Sequence, residues 1–375
     1  MKKFIIFIAA FAMVGAAVAT AMADVDLYGS ARFRTYYTDT SKEASSTGFD
    51  DGDLEWQMGY LTRFGANFKS DKITGKFEMD ARVATPGDYP GSFAVGMGAS
   101  SVGNMRLRQL WGEYDFGSWK FMIGQNYPLY DAPVSGLNYY SGGLQKFGGI
   151  GYTVARTSQM RFTINNLRIA LLPTDVSKGG VPRYDTDTDK YLPKIEMRYD
   201  MKGDWGVLNF IGGYQTYKAV NDDDSDKTIS SWVAGIRGKF NFGPAYLGAA
   251  LTYRQNGGNY GVWTTVHETA VFDGNDVQDT TAWGGVAALG YKINDSNTLE
   301  ASYGYVSSDQ DLAGNWEDKK QAFGLMWKYT VAPGFYIVPE FIYQDNGDTQ
   351  RGDFLPEEDN GDVTIFGVFW RIDFK

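Results

Sequence analysis

The feature that most constrains this chain is a strict alternation of apolar and polar side chains that recurs from Val25 to the end of the sequence. Alternation with a period of two is the pattern of a β-strand with one apolar and one polar face. In the first run the apolar face carries Val25, Leu27, Gly29, Ala31, Phe33 and Tyr37. The polar face carries Asp26, Tyr28, Ser30, Arg32, Arg34 and Tyr36. We count sixteen such runs, joined alternately by tight turns and by longer stretches rich in Asp, Gly, Asn and Ser.

The first 23 residues have the pattern of an export signal. Lys2 and Lys3 precede an apolar stretch from Phe4 to Val18, and Ala21-Met22-Ala23 is a small-x-small cleavage box. We therefore predict cleavage after Ala23, with a signal peptide at 1–23 and a single β-barrel domain at 24–375. The alternative, an uncleaved anchor, is disfavoured by the cleavage box. The chain has no Cys, which suits export through an oxidising compartment.

The run length favours a membrane-spanning barrel. The mature chain has 375 − 23 = 352 residues, or 22 for each of the sixteen runs. A membrane-crossing strand needs about 9–11 residues, which leaves room for short turns at one end and long loops at the other. Aromatic residues crowd the run ends, as in the girdles at the two membrane surfaces. The alternative is a soluble antiparallel sandwich, which would not need an export signal.

The polar faces must then point into the barrel. Strands can cross lipid only as a closed barrel, and unpaired charges in a dry interior are very costly. Sixteen strands enclose an aqueous channel. The sequence thus predicts an all-β fold: a sixteen-stranded antiparallel transmembrane β-barrel with short periplasmic turns, long outer loops and a water-filled pore.

One long connection differs from the others. The stretch from Asn126 to about Tyr152 is rich in aromatic residues and Gly and carries only two charges, Asp131 and Lys146. A solvent-exposed loop should be more polar, so we predict that this third loop folds inward and narrows the channel. The alternative is an outer loop with aromatic tips.

Several motifs, taken in order, resemble the general trimeric porins of gram-negative bacteria. The chain start, Val25 to Gly29, resembles their opening strand. Their fourth and fifth strands are similar to Asn104–Leu107, Trp111–Tyr114 and Ile123–Tyr127. Tyr130-Asp131-Ala132 and Phe147-Gly148-Gly149 resemble the ends of their constriction loop, and Val368–Phe374 resembles their aromatic C-terminal strand.

This resemblance implies an outer-membrane porin for passive diffusion of small hydrophilic solutes and ions. It also implies a homotrimer, contact with outer-membrane lipid and lipopolysaccharide, and delivery by the barrel-assembly machinery through the C-terminal strand. The implied basic ladder of the constriction is Arg32, Arg34, Arg63, Arg82 and Arg106. The implied loop positions are Tyr130, Asp131 and Lys146, and Lys146 stands where the family often has a carboxylate.

Other functions find less support in the residues. The single histidine, His267, lacks a neighbouring nucleophile and orienting group, so we predict no enzyme activity. We predict no cofactor and no nucleic-acid partner.

The acidic cluster Asp222, Asp223 and Asp224 could bind a divalent cation, although solvated surface is the simpler interpretation. A solute-selective channel or a surface-binding, adhesin-like barrel of the same architecture remains the alternative. The arginines favour anions, whereas the net charge of the mature chain, −10 − 2 = −12 without Lys2 and Lys3, argues the other way.

Overall fold

A computed structural model describes most of the chain. The described residues are 24–45, 52–81, 106–130, 133–140, 142–149, 156–174, 187–220, 226–262, 265–273, 276–310, 316–351 and 358–375. Several predicted positions lie outside these ranges: the cleavage site at Ala23, Arg82, Asp131, and the cluster Asp222, Asp223 and Asp224.

The described residues form a closed antiparallel barrel of sixteen strands, as predicted. Two strands, β2 and β8, are each interrupted once. The strands are β1 (Asp24–Thr40), β2 (Asp53–Met58 and Arg63–Lys69), β3 (Ile73–Asp80), β4 (Arg106–Asp115), β5 (Lys120–Asn126), β6 (Thr157–Ile164), β7 (Leu167–Leu172), β8 (Asp187–Asp189 and Lys194–Gly203), β9 (Gly206–Val220), β10 (Asp226–Phe242), β11 (Ala245–Gln255), β12 (Thr280–Lys292), β13 (Asn297–Gln310), β14 (Trp316–Ala332), β15 (Phe335–Asp345) and β16 (Asp362–Phe374).

The barrel closes between its first and last strands. Strand β1 pairs with β2 on one side and with β16 on the other, with Gly29 opposite Phe374 and Thr40 opposite Val363. The predicted return of the last run onto the first is therefore confirmed. The short middle hairpin of β6 and β7 is also present, and its turn uses Asn165 at φ 51°. Asn tolerates this left-handed conformation better than most residues.

Shorter elements lie within the longer loops. They are two one-turn helices (Lys42–Ser45 and Gly257–Tyr260), a 3₁₀ turn (Gln145–Phe147) and the short strands Val271–Asp273, Asp276–Gln278, Asp348–Arg351 and Glu358–Asp359. Among the described residues, no helix has the length and apolar character that crossing a bilayer requires.

The two faces of the strands differ as predicted. Large apolar side chains such as Leu27, Trp56 and Leu251 point outward and are more than half exposed. The inward positions of β1 are buried and polar or aromatic, and include Arg32, Arg34 and Tyr36. The outward face suits lipid, because lipid-exposed and lumen-facing residues alternate along each strand of a membrane barrel.

The lumen is not uniformly polar, which the alternation alone did not predict. The inward positions of β10 to β15 are largely small or apolar and fully covered: Val233, Ala250, Val286, Val306, Ala322, Val338 and Ile342. All of these residues except Val306 pack with loop side chains in one hydrophobic cluster. Loops fill this half of the lumen and exclude water from it. Charged inward side chains concentrate on β1 to β8.

Candidate pore constriction

The described residues of the third loop, L3 (residues 127–156, between β5 and β6), lie inside the barrel. Its described apolar side chains are almost completely buried, with Leu137 at 4% exposure and Leu144 and Phe147 at 0%. Their burial offsets the cost of ordering the loop, at about 1.5–3 kcal/mol for a fully buried large apolar side chain. The predicted inward fold of L3 is thus confirmed, and its low charge is explained by contact with the apolar half of the wall.

Glycines on the inner wall let L3 approach the strands closely. A Cβ atom on Gly248 would lie 2.5 Å from the carbonyl oxygen of Val134, and one on Gly304 would lie 2.8 Å from Cβ of Phe147. A Cβ atom on Gly284 or on Gly324 would likewise collide with atoms of L3. Because these four positions carry no side chain, adjacent strands β11 to β14 form a continuous groove for the loop.

Glutamates from the wall hold the L3 backbone. Glu340 on β15 accepts hydrogen bonds from the backbone N–H of Asn138 (2.7 Å) and of Tyr139 (2.9 Å), and from the hydroxyl of Tyr36 (2.7 Å). Glu300 on β13 accepts from the N–H of Gly136 at 2.7 Å. A carboxylate that accepts backbone N–H groups makes strong, charge-assisted hydrogen bonds.

A third glutamate acts at the start of the loop. Glu196 on β8 accepts a 2.7 Å hydrogen bond from the N–H of Leu129, and Lys194 lies 3.7 Å from its other oxygen. All three glutamates are buried. The wall acids therefore satisfy loop amides, and they do not face the lumen as free charges.

Of the predicted ladder, Arg34 is covered by L3. Its guanidinium lies 2.8 Å from Glu55 and stacks near the rings of Tyr60 (4.5 Å) and Tyr139 (4.6 Å). It points inward as predicted, but it is only 1% exposed. Arg34 thus supports the tip of L3 and does not meet the water of the lumen.

Arg32 and Arg63 lie together on the same side of the lumen. Arg32 donates to the Ser30 hydroxyl at 3.0 Å, and its guanidinium lies over the Phe369 ring at 5.9 Å. Arg63 lies 3.4 Å from Glu78. Both arginines lie on the wall where the basic ladder is predicted, and the ladder itself stays a prediction.

Arg106 also reaches this wall, and a residue missed by the sequence reasoning joins it. Arg106 donates to Asp80 at 3.2 Å. A β-bulge places both Arg108 and Gln109 opposite Glu78, so two consecutive side chains turn inward. Arg108 donates to Glu78 at 2.7 Å and is fully buried. The bulge breaks the alternation on which the prediction relied.

A second arginine group, which the predicted ladder does not include, extends the wall along β6 to β8. Arg156 lies over the ring of Tyr127 and donates to its hydroxyl at 3.4 Å. Arg161 donates to the backbone carbonyl of Tyr127 and to Gln159, each at 2.7 Å. Further along, Arg168 and Arg198 share the single carboxylate of Asp200. The alternation of apolar and polar residues in β6 and β7 is the pattern that places arginines inward. These runs are short, and the sequence reasoning did not identify the arginines.

Two of the predicted loop positions, Tyr130 and Lys146, lie among the described residues of L3. Tyr130 donates to the backbone carbonyl of Gly261 at 3.3 Å, inside the loop layer. The ammonium of Lys146 lies 3.6 Å from the centre of the Tyr140 ring. Burial of this ammonium, and secondarily Lys320, lowers the pKa of Lys146 to about 7. Lys146 therefore changes its charge near neutral pH.

Neither a metal site nor a catalytic group stands out in the described part of the chain. No cluster of three or more His, Asp or Glu side chains there could hold a metal ion. His267 contacts Asp318 through Nδ1 at 3.2 Å. The cation site at Asp222, Asp223 and Asp224 stays a prediction.

Comparisons with known proteins agree with this geometry. The sequence model of the Gram-negative porins matches residues 9–349. The chain belongs to the Gram-negative porin family. It is therefore an outer-membrane porin that forms a water-filled channel. No curated protein sequence matches this porin significantly.

Solved structures share the fold of this porin. The outer membrane channel DcaP of Acinetobacter baumannii is 21% identical, with a TM-score of 0.70 over 94% of this chain and 98% of that chain. The anion-selective porin from Comamonas acidovorans is 13% identical, with a TM-score of 0.57 over 94% and 99%. The trimer form of OmpT of Vibrio cholerae is 15% identical, with a TM-score of 0.58 over 94% and 99%.

Proposed function

We propose that this porin is a diffusion channel that favours small hydrophilic anions. The observation that carries the proposal is the excess of arginine on the open half of the lumen. Loops fill the lumen along β9 to β15, so solutes must pass along β1 to β8. This half carries the ladder residues Arg32, Arg63 and Arg106 and, in addition to the predicted ladder, Arg108, Arg156, Arg161, Arg168 and Arg198.

The acids on this half do not cancel the arginines. Glu78 lies within 4 Å of three cations, Arg63, Lys76 and Arg108. Asp200 likewise forms ion pairs with two arginines, Arg168 and Arg198. A charged cleft with low-dielectric walls concentrates counter-ions, so the local excess of positive charge should raise the anion concentration in the pore. The overall negative charge of the chain acts at a greater distance and is screened by salt.

Arginine side chains with neutral partners are the best contact points for a passing anion. Arg32 donates to the Ser30 hydroxyl, and Arg156 donates to the phenol of Tyr127. Arg161 donates to the side-chain amide of Gln159 and to the backbone carbonyl of Tyr127. Their planar guanidinium groups can pair with a carboxylate or phosphate without first breaking an ion pair. The similarity of the fold to an anion-selective porin supports this proposal.

A solute-selective channel with a row of stacking aromatics is less well supported. Three tyrosines that could stack along the lumen, Tyr28, Tyr36 and Tyr140, instead use their hydroxyls to bind the wall. Tyr28 donates to Glu78, Tyr36 to Glu340, and Tyr140 to Gln344. Rings held in this way brace loops and strands and do not line the open half as a continuous path.

The remaining expectations are part of the same proposal. We infer a homotrimer in the outer membrane, and the trimer form of the similar Vibrio cholerae protein supports it. The short turns should lie in the periplasm, and the signal should be cleaved after Ala23. Lipopolysaccharide at the outer rim, the barrel-assembly machinery at the C-terminal strand and the absence of enzyme activity remain proposals. So does the divalent cation at the acidic cluster.

Uptake of a matched solute pair tests the proposal. Liposomes that contain the refolded porin are mixed with glucose or with gluconate, which differ mainly in charge, and swelling is followed by light scattering. Faster entry of gluconate is expected. Faster entry of glucose, at rates corrected for diffusion in water, would overturn the anion preference, and no swelling with either solute would overturn the open channel.

A further inference from the structure

A second loop also lies within the barrel. L6 (residues 256–279) joins β11 to β12, and its residues Asn256, Asn259 and Tyr260 are 0–1% exposed. Its return limb is held by Glu268, which binds Arg254 on β11 at 2.6 and 2.9 Å in a buried ion pair. A free outer loop would not bury polar and aromatic side chains in this way.

The forward limb of L6 reaches from β11 to β8 across the inside of the wall. The ammonium of Lys194 on β8 donates to the backbone carbonyl of Tyr260 at 3.2 Å. On the way, the Tyr217 hydroxyl on β9 accepts from Asn259 at 3.1 Å. With neighbouring strands about 4.8 Å apart, three strand spacings correspond to roughly 14 Å.

The wall is shaped to receive this limb. Gly213 on β9 faces inward, and a Cβ atom there would collide with the hydroxyl of Tyr260. The adjacent Gly212 faces outward, and the nearest atom to its Cβ would be 3.9 Å away. The missing side chain at Gly213 therefore makes the space that the Tyr260 ring occupies.

The return limb extends the other way, to β14. The backbone N–H of His267 donates to Asp318 at 3.1 Å. L6 thus covers the inside of the barrel from β8 to β14, which is seven of its sixteen strands. This is the half of the wall that L3 also occupies.

L6 is also bonded to L3 itself. The backbone N–H and the hydroxyl of Thr265 donate to the carbonyl of Lys146 at 3.2 and 3.3 Å. At the other end the rings of Tyr130 and Tyr260 pack with centroids 5.5 Å apart. Each end of L3 is therefore capped by a limb of L6.

We propose that L6 is a second specificity-determining element of this channel. It closes the lumen over β8 to β14 and holds L3 in place, so that solutes can enter only beside the arginine wall. The inference rests on the proposed diffusion function. Pore diameter sets which solutes pass, so L6 should lower the size limit of the channel.

Replacing residues 257–279 with Asn-Gly tests the inference. Strands β11 and β12 already pair at Gln255 and Thr281, so a two-residue turn can close the hairpin. Single-channel conductance should rise roughly two-fold or more, and larger sugars should enter liposomes. A folded, heat-modifiable variant with unchanged conductance and unchanged size limit would overturn the inference.

A point variant keeps the test decisive if the shortened protein fails to fold. Tyr260→Ala removes the ring between L6, L3 and β8 and should raise conductance. Tyr253→Ala, on the outward face of β11, removes the same ring and should leave conductance unchanged. Equal conductance in the two variants would overturn the inference. Failure of the diffusion function would look different, since the unaltered porin itself would not conduct.

Discussion

The carboxylate of Glu340 accepts the backbone N–H of Tyr139, with 2.9 Å between Oε2 and N. This hydrogen bond joins the wall strand β15 directly to the L3 backbone. Glu300 and Glu196 make equivalent bonds further along the loop. The position of the constriction is therefore set by strand acids that bind loop amides, with the apolar cluster filling the space between.

Removal of the Glu340 carboxylate should loosen L3. Glu340→Ala leaves the N–H groups of Asn138 and Tyr139 without their acceptor, at a cost of roughly 1–3 kcal/mol for each buried group. We expect noisier open-channel current and a higher mean conductance in planar bilayers. Glu317→Gln, at a partly exposed acid on the outward face of β14, is the control. A quiet Glu340→Ala channel with normal conductance would contradict this role.

Filling the L3 groove should displace the loop. Gly248→Ala adds a Cβ atom 2.5 Å from the carbonyl oxygen of Val134, so the L3 backbone itself must move. Gly112→Ala is the matched control, because its Cβ would meet nothing within 4 Å. We expect altered conductance and a lower heat-modification temperature for Gly248→Ala alone. Identical behaviour of the two variants would mean that L3 does not lie against β11.

Charge changes on the open wall should alter ion selectivity. Arg63→Glu and Arg156→Gln each reduce the positive charge beside the pathway, so the zero-current potential in a KCl gradient should move toward potassium. The larger shift is expected for Arg63→Glu, which changes two charges. Lys292→Gln, at an exposed lysine paired with Asp295 in a turn, should have no effect. Unchanged selectivity in both arginine variants would remove these residues from the pathway. Arg82→Glu remains a prediction of the same kind.

Lys146 should make selectivity depend on pH. Its lowered pKa of about 7 means that the ammonium is charged below pH 7 and neutral above it. Anion preference should therefore decrease as pH rises from 6 to 8. Lys146→Met should abolish this step and should behave at pH 6 as the unaltered porin does at pH 8. A step that persists in Lys146→Met would assign the titration to another group.

The sequence predicted the barrel well because strand alternation is a local signal. The apolar faces, the sixteen strands, the closure of β16 on β1 and the inward course of L3 all follow from residue order and from the requirement that lipid-facing backbone be paired. Even the short β6–β7 hairpin could be placed, since Asn165 and Asn166 interrupt the alternation.

The constriction was harder to predict because it depends on contacts between distant residues. Arg34 lies on the same face of β1 as Arg32, yet the folded loop covers Arg34. Arg108 faces inward only because of a bulge, which one strand alone does not reveal. The sequence did not distinguish L6 from an outer loop. Its Tyr260 ring packs into the space left by Gly213, which lies 47 positions earlier in the chain.

The zero-current potential of the unaltered porin in a KCl gradient tests the account most directly. The protein is refolded, inserted in a planar bilayer and measured at pH 6, where Lys146 is charged. The arginine wall predicts stable conductance and a potential whose sign reports chloride as the more permeant ion. A potential of the opposite sign from an open channel would contradict the account and would make the acidic residues the dominant charge on the pathway.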